Sequence, residues 1–191
     1  PTDNYDIYTQ AVEKGLKQAV GIYYMWDFYA DNPDFQIQED RFNRNNQVFV
    51  AGLKLIGDGS VSGRTAWMNE PYLDSDVCGF PVCSDELMES AIAFCKKNHC
   101  QLSMHAMGGQ AIDRIVDRIY PEEKWTEGGV PHLRMEHWTE PSQQAIRKSA
   151  EKGLAVATQP IFLYAEIESY LTNLGVERMK KTYPIQDLLK A

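Results

Sequence analysis

Val48-Phe49-Val50-Ala51-Gly52-Leu53-Lys54-Leu55-Ile56-Gly57-Asp58-Gly59 is an apolar run broken by one charge and closed by a strong turn signal. It reads as a buried strand with Lys54 near its end. Two later runs repeat the design. Gln101 to Met104 is a short strand ending at His105, and Leu133 to Glu136 is strand-like and ends at His137. Val20 to Trp26, compact and rich in aromatic and β-branched residues, suits another buried strand, and Leu154 to Thr158 forms the fifth.

Amphipathic helices fall between these strands. The segment after Pro1 reads as a helix through about Gln18. Ser84 is an N-cap with Asp85 and Glu86 in the first turn, and Leu87, Ala91 and Cys95 then recur on one face. Gly108 to Tyr120 carries Ala111, Ile112, Ile115, Val116 and Ile119 on one side. A further helix runs from near Pro141 to Lys152-Gly153, and the stretch after Gln159-Pro160 is mostly helical to Ala191. Residues 27–47 read as loop or irregular helix. Ser60 to Cys83 is a long loop of the kind that serves as a lid or binding loop.

Strands alternating with helices imply a parallel α/β sheet with right-handed crossovers. A (β/α)8 barrel needs about 250 residues, so five strands make only part of one. An open doubly wound sheet fits the length by itself. In either architecture the C-terminal strand ends form the functional face, where Lys54, His105 and His137 converge. Imidazole nitrogen suits zinc and related metals. A buried lysine loses basicity through desolvation and can react with carbon dioxide, giving an anionic carbamate able to bridge two metals. His132 precedes its strand and His99 sits at a helix end, so neither joins this set. Gly57-Asp58-Gly59-Ser60 lacks the Gly-Lys-Ser/Thr ending of a phosphate loop.

Composition narrows the function further. The 191 residues are 43% hydrophobic and 24% charged, as in an ordinary globular domain. A formal net charge of −8, with no compensating basic block, argues against non-specific nucleic-acid binding. No apolar run approaches the roughly 20 residues that span a bilayer, and no signal peptide is visible. Cys78, Cys83, Cys95 and Cys100 form two C-x4-C pairs, wider than the usual C-x2-C zinc knuckle, and read as reduced thiols in a cytoplasmic protein. With no initiator Met and an abrupt end at Lys190-Ala191, both ends are expected to be cut from a longer chain.

Leu53-Lys54-Leu55-Ile56-Gly57-Asp58-Gly59-Ser60, Arg64-Thr65-Ala66 and Glu70-Pro71-Tyr72 resemble the amidohydrolase superfamily. The branch they resemble is amidohydrolase family 3, which includes N-substituted formamide deformylases. His105-Ala106-Met107-Gly108, Arg134-Met135-Glu136-His137 and Ala157-Thr158-Gln159-Pro160 continue the match in the family's order, from about residue 48 to residue 188.

The resemblance implies a βα barrel with one or two divalent metals, zinc above all, at its C-terminal face. Lys54 would then end the fourth strand as a carboxylated bridging ligand, and His105 and His137 would end the fifth and sixth as metal ligands. The Val20 and Leu154 strands would be the third and seventh. Asp58, Arg64 and Tyr72 are expected to face substrate, a small molecule with an amide-like C–N bond. Two departures stand out. Gly109 replaces the family's Asp, and the first-strand His-x-His is absent. The general-base Asp of the eighth strand is expected beyond Ala191. Residues 1–191 would then be the central part of the catalytic barrel, inactive alone and prone to self-association through exposed barrel edges. The rival expectations are a non-catalytic binding or assembly domain and a metal-free sugar or nucleotide binder.

Overall fold

The computed structural model describes residues 4–191. Five strands form one parallel sheet: β1 (Val20–Met25), β2 (Val48–Ile56), β3 (Gln101–Ala106), β4 (Leu133–His137) and β5 (Ala155–Ala157). Their spatial order is their chain order. A doubly wound sheet reverses order at a switch point, and this sheet has none. Strands laid down one after another, with helices returning on one side, make an arc of barrel wall.

The register sorts the side chains into rows. Leu53, Leu102 and Leu133 stand opposite one another, as do Leu55, Met104 and Met135, and all six are fully buried. They pack against α2 (Asp85–Lys97) and α3 (Gly109–Ile119), through Met88, Ala91, Ile92 and Cys95 on one helix and Ile112, Ile115 and Val116 on the other. Because strand side chains alternate between faces, the intervening rows occupy the other, concave face. Those rows are Lys54, Ser103, Arg134 and then Ile56, His105, Glu136.

Local chemistry explains several boundaries. Ser84 Oγ accepts the Leu87 N–H, and Ser142 Oγ accepts the Ala145 N–H at the start of α4 (Gln143–Glu151). Helix α1 (Asn4–Glu13) ends well before Gln18, because the chain turns at Gly15 with φ 106°. The start of that expected helix, at residues 2–3, lies outside the described residues. The C-terminal stretch is mostly helical, as expected, and consists of three helices: α5 (Ile161–Ala165), α6 (Ile167–Met179) and α7 (Ile185–Lys190), with α6 kinked at Gly175 (φ 75°). Residues 27–47 hold a 3-10 turn at Glu39–Phe42, and another covers Trp26–Phe28 directly after β1.

The long 60–83 loop is fastened down. Val61, Ala66, Met68 and Tyr72 are buried in a second core with Met107 and with Tyr170 and Leu174 of α6. Backbone bonds from Met68 to Cys78, Tyr72 to Val77 and Leu73 to Asn173 close it at 2.7–2.9 Å. Cys83, Cys95 and Cys100 are buried and Cys78 half-buried, all as free thiols.

Candidate metal centre

His105 and His137 sit on adjacent strands with ring centroids 4.5 Å apart, edge to face. His105 Nε2 lies 2.7 Å from the Gly59 carbonyl oxygen, which can only accept, so Nε2 carries the proton. The Nδ1 lone pair of His105 is thereby left available. Asp58 Oδ1, 3.5 Å from the same Nε2, reinforces this tautomer.

His137 is held differently. Its φ of 72° is followed by 57° at Trp138, two left-handed residues in succession. The Trp138 N–H donates to Glu136 O at 3.0 Å, closing a γ-turn centred on His137, and to Ala106 O at 3.0 Å. Such turns are rare and strained outside glycine. This one ends β4 abruptly and turns the imidazole toward His105. The ring stacks on Phe162 at 5.7 Å, Thr158 Oγ1 donates to the His137 carbonyl at 2.9 Å, and Nδ1 is buried without a hydrogen-bond partner. Burial first, then the neighbouring His105 and Lys54, pushes its pKa down to about 4, with Gln159 and Glu136 offsetting only part. At neutral pH the ring is therefore uncharged, the form that binds metal.

Lys54 projects from β2 onto the same concave face and is held down to about 8, chiefly by burial, with Arg134 adding and Glu136 opposing. Its ammonium is 3.5 Å from Ser103 Oγ. Three nitrogen donors from three consecutive strands thus approach one region. Among the described residues, no group of three His, Cys, Asp or Glu side chains could hold a metal ion.

The residues expected to face substrate are engaged within the protein. Asp58 is fully buried and accepts three backbone N–H bonds, from Trp67 (2.9 Å), Met107 (3.0 Å) and Gly108 (2.8 Å). Burial raises its pKa against those three donors. Asp58 ties the long loop to the turn after β3 and fixes the ground on which His105 stands. Tyr72 is buried, and its hydroxyl donates to Ala66 O at 2.9 Å. Arg64 Nε donates to Asn173 Oδ1 at 2.7 Å, joining the loop to α6. The two histidines set aside lie at the opposite end of the sheet. His99 Nδ1 is 3.0 Å from Trp125 O, and buried His132 packs edge-on against Trp125.

The departure at Gly109 has a packing explanation. A Cβ there would meet Asn69 Nδ2 at 2.2 Å and Glu140 O at 3.0 Å, so the Asn69 amide fills the space of a 109 side chain. Sequence reasoning passed over Ser103, Glu136, Gly59 and Phe162. Ser103 was within reach, since it lies two residues before His105 and so shares its face.

A model of the amidohydrolase family matches residues 3–191. The chain belongs to the amidohydrolase family. Among curated relatives it is 28% identical over 143 residues to YtcJ of Bacillus subtilis (strain 168), a match spanning 74% of this chain and 26% of that protein. It is 27% identical over 145 residues to LONG AFTER FAR-RED 3 of Arabidopsis thaliana, covering 74% and 25%. The chain therefore spans about a quarter of the length of the curated relatives it matches. Two solved structures, described as uncharacterized metal-dependent hydrolases from Pyrococcus horikoshii OT3 and Pyrococcus furiosus, superpose with TM-scores of 0.72 and 0.74. Their identities are 23% and 22%, and each match covers 96% of this chain and 36% or 37% of the other. With the family, this likeness makes the five-stranded sheet an arc of an amidohydrolase (β/α)8 barrel. No helix among the described residues is long and apolar enough to cross a membrane.

Proposed function

We propose that this chain carries part of the active site of a metal-dependent hydrolase that cleaves an amide or similar C–N bond in a small molecule. The carrying observation is the pair of imidazoles 4.5 Å apart at the C-terminal strand ends, with Lys54 beside them. The donors suit a divalent cation, zinc first. His137 has a buried unpartnered nitrogen on a ring that is uncharged at neutral pH, and His105 is tautomerically fixed with Nδ1 free. A bound divalent metal lowers the pKa of coordinated water and polarises the carbonyl to be attacked. His105 and His137 would hold it, with Lys54 as an amine or, after reaction with CO2, as a carbamate oxygen donor. Asp58 and the Gly59 carbonyl keep His105 in its binding tautomer, and the γ-turn aims His137.

Two imidazoles and one lysine leave a metal under-coordinated, and the relatives, of which this chain matches only about a quarter, have room for the remaining ligands and a proton-shuttling carboxylate. The 191 residues alone are accordingly proposed to bind metal weakly and to be inactive. The formamide deformylase branch is the substrate reading that the motifs favour, in a cytoplasmic setting. Arg64 and Tyr72 would shape the pocket through the loop they fasten. β1 and β5 are the sheet edges, and their unpaired backbone groups favour association of the isolated piece with a second copy.

The test is metal content of the full-length protein. Stoichiometric metal that falls at least about tenfold in His105→Ala and His137→Ala, with hydrolysis lost in parallel, supports the reading. Full activity in metal-free protein would overturn it.

A further inference from the structure

Below the imidazoles the concave face carries a polar row that the metal reading leaves unused. Ser103 Oγ donates to Glu136 Oε1 at 2.8 Å. Arg134 Nε lies 2.8 Å from that same oxygen, and Nη2 donates to Oε2 at 3.3 Å. With its proton committed to Glu136, Ser103 can only accept from a further partner, and Lys54 Nζ at 3.5 Å is the donor in reach. The register places these groups together. Lys54, Ser103 and Arg134 stand opposite one another on three adjacent strands, and Glu136 follows two residues on, on the same face. Ser103 is 1% exposed, on a row whose convex neighbours are all apolar. Alanine would fit such a position, so the hydroxyl calls for another reason.

We propose that the Arg134–Glu136–Ser103 row is a positioning arm for Lys54, and that it orients the carbamate that CO2 forms on that lysine. This rests on the reading of Lys54 as a carboxylated metal ligand. In that step the ammonium first gives one proton to a solvent base, the freed Nζ lone pair forms an N–C bond to CO2, one C=O π pair moves onto oxygen, and a second N–H proton leaves to solvent. The carbamate nitrogen keeps a single N–H. Ser103 Oγ accepts that hydrogen, so the new N–C bond and the anionic oxygens beyond it point away from β3's serine. Glu136 keeps the serine proton turned away from Lys54, and Arg134 keeps Glu136 in place.

The experiment uses full-length protein equilibrated with 13C-bicarbonate, with and without zinc. Carbamate on Lys54 is read by 13C NMR, alongside metal content and unfolding temperature. Ser103→Ala is expected to need roughly three- to tenfold more bicarbonate for half-occupancy, the worth of one hydrogen bond. Glu136→Gln should shift it less in the same direction, and Ser103→Thr should restore it. Identical bicarbonate dependence in wild type and Ser103→Ala overturns the arm, as does a Ser103→Thr protein that behaves like Ser103→Ala. A wild type with no carbamate at any bicarbonate level, and metal content unmoved by Lys54→Ala, overturns the Lys54 reading and the arm with it.

Discussion

The two faces of one sheet, built from the same strands, obey opposite rules. On the convex face Leu53, Leu102, Leu133 and Leu55, Met104, Met135 form two rows with no solvent exposure, sealed by α2 and α3. One residue along each strand, the concave face carries Lys54, Ser103, Arg134, His105 and Glu136. The convex rows hold the fold together by excluding water. The concave rows work against that tendency, since they bury polar and charged groups, and burial makes Lys54 less basic at a cost in stability. A sheet selected for stability alone would not be built so, and the contrast separates scaffold from candidate site.

Deleting part of the convex face should have the largest effect. Leu55→Ala removes a fully buried side chain from a close-packed row and is expected to cost about 3 kcal/mol, from transfer and cavity terms together. Urea denaturation measures it. A loss below about 1 kcal/mol would mean that the row can collapse, and would blur the distinction between the faces.

The next effect belongs to the concave face and appears only in acid. His137 has a folded pKa of about 4 against an ordinary 6.5, so between those values the unfolded chain takes up a proton that the folded chain refuses. Stability conferred by the neutral ring is complete above pH 6.5 and is lost as pH falls toward 4. The shift corresponds to roughly 3 kcal/mol, which solvent screening of a half-buried ring reduces to about 2. His137→Asn should flatten this limb of the stability–pH curve. An unchanged limb in that variant would place the acid sensitivity elsewhere.

The convex face was far more legible in the sequence than the concave one. Apolar runs and i+4 periodicities mark strands and helices directly, because burial on a regular element leaves a periodic trace. Lys54, His105 and His137 were legible for a related reason, being polar residues at or near the ends of apolar runs. Asp58 was not, because its partners Trp67, Met107 and Gly108 lie 9, 49 and 50 residues away and meet it only after folding. The γ-turn at His137 leaves no compositional mark, since nothing in Glu136-His137-Trp138 announces positive φ. The final stretch was legible as mostly helical, but its division into three helices was not. Gly175 and Pro184 are poor helix formers, and the kink at Gly175 falls where the chain packs over Leu73 of the long loop, a contact made only after folding.

The smallest effect has the opposite sign, and for that reason it tests the contrast most sharply. Lys54 is protonated at pH 7 in both folded and unfolded chains, yet its folded pKa of about 8 lies below the ordinary 10.5, so the folded state carries a charge it disfavours. That penalty is complete below pH 8 and disappears as pH rises from 8 to 10.5, where the folded lysine is neutral while the unfolded one still holds its proton. Lys54→Met keeps an unbranched stem of four atoms and removes the charged end. It should therefore raise stability at pH 7, by about 1 kcal/mol once the shift is discounted for partial exposure and for the Ser103 hydrogen bond that Met cannot make. The gain should shrink as wild type itself becomes more stable between pH 8 and 10.5. A Met variant that is less stable than wild type at pH 7 would show that Lys54 is held by favourable charge contacts, chiefly with Glu136, and belongs to the scaffold. The expected gain in stability, together with loss of metal from the full-length protein, would instead mark Lys54 as a residue kept for its chemistry.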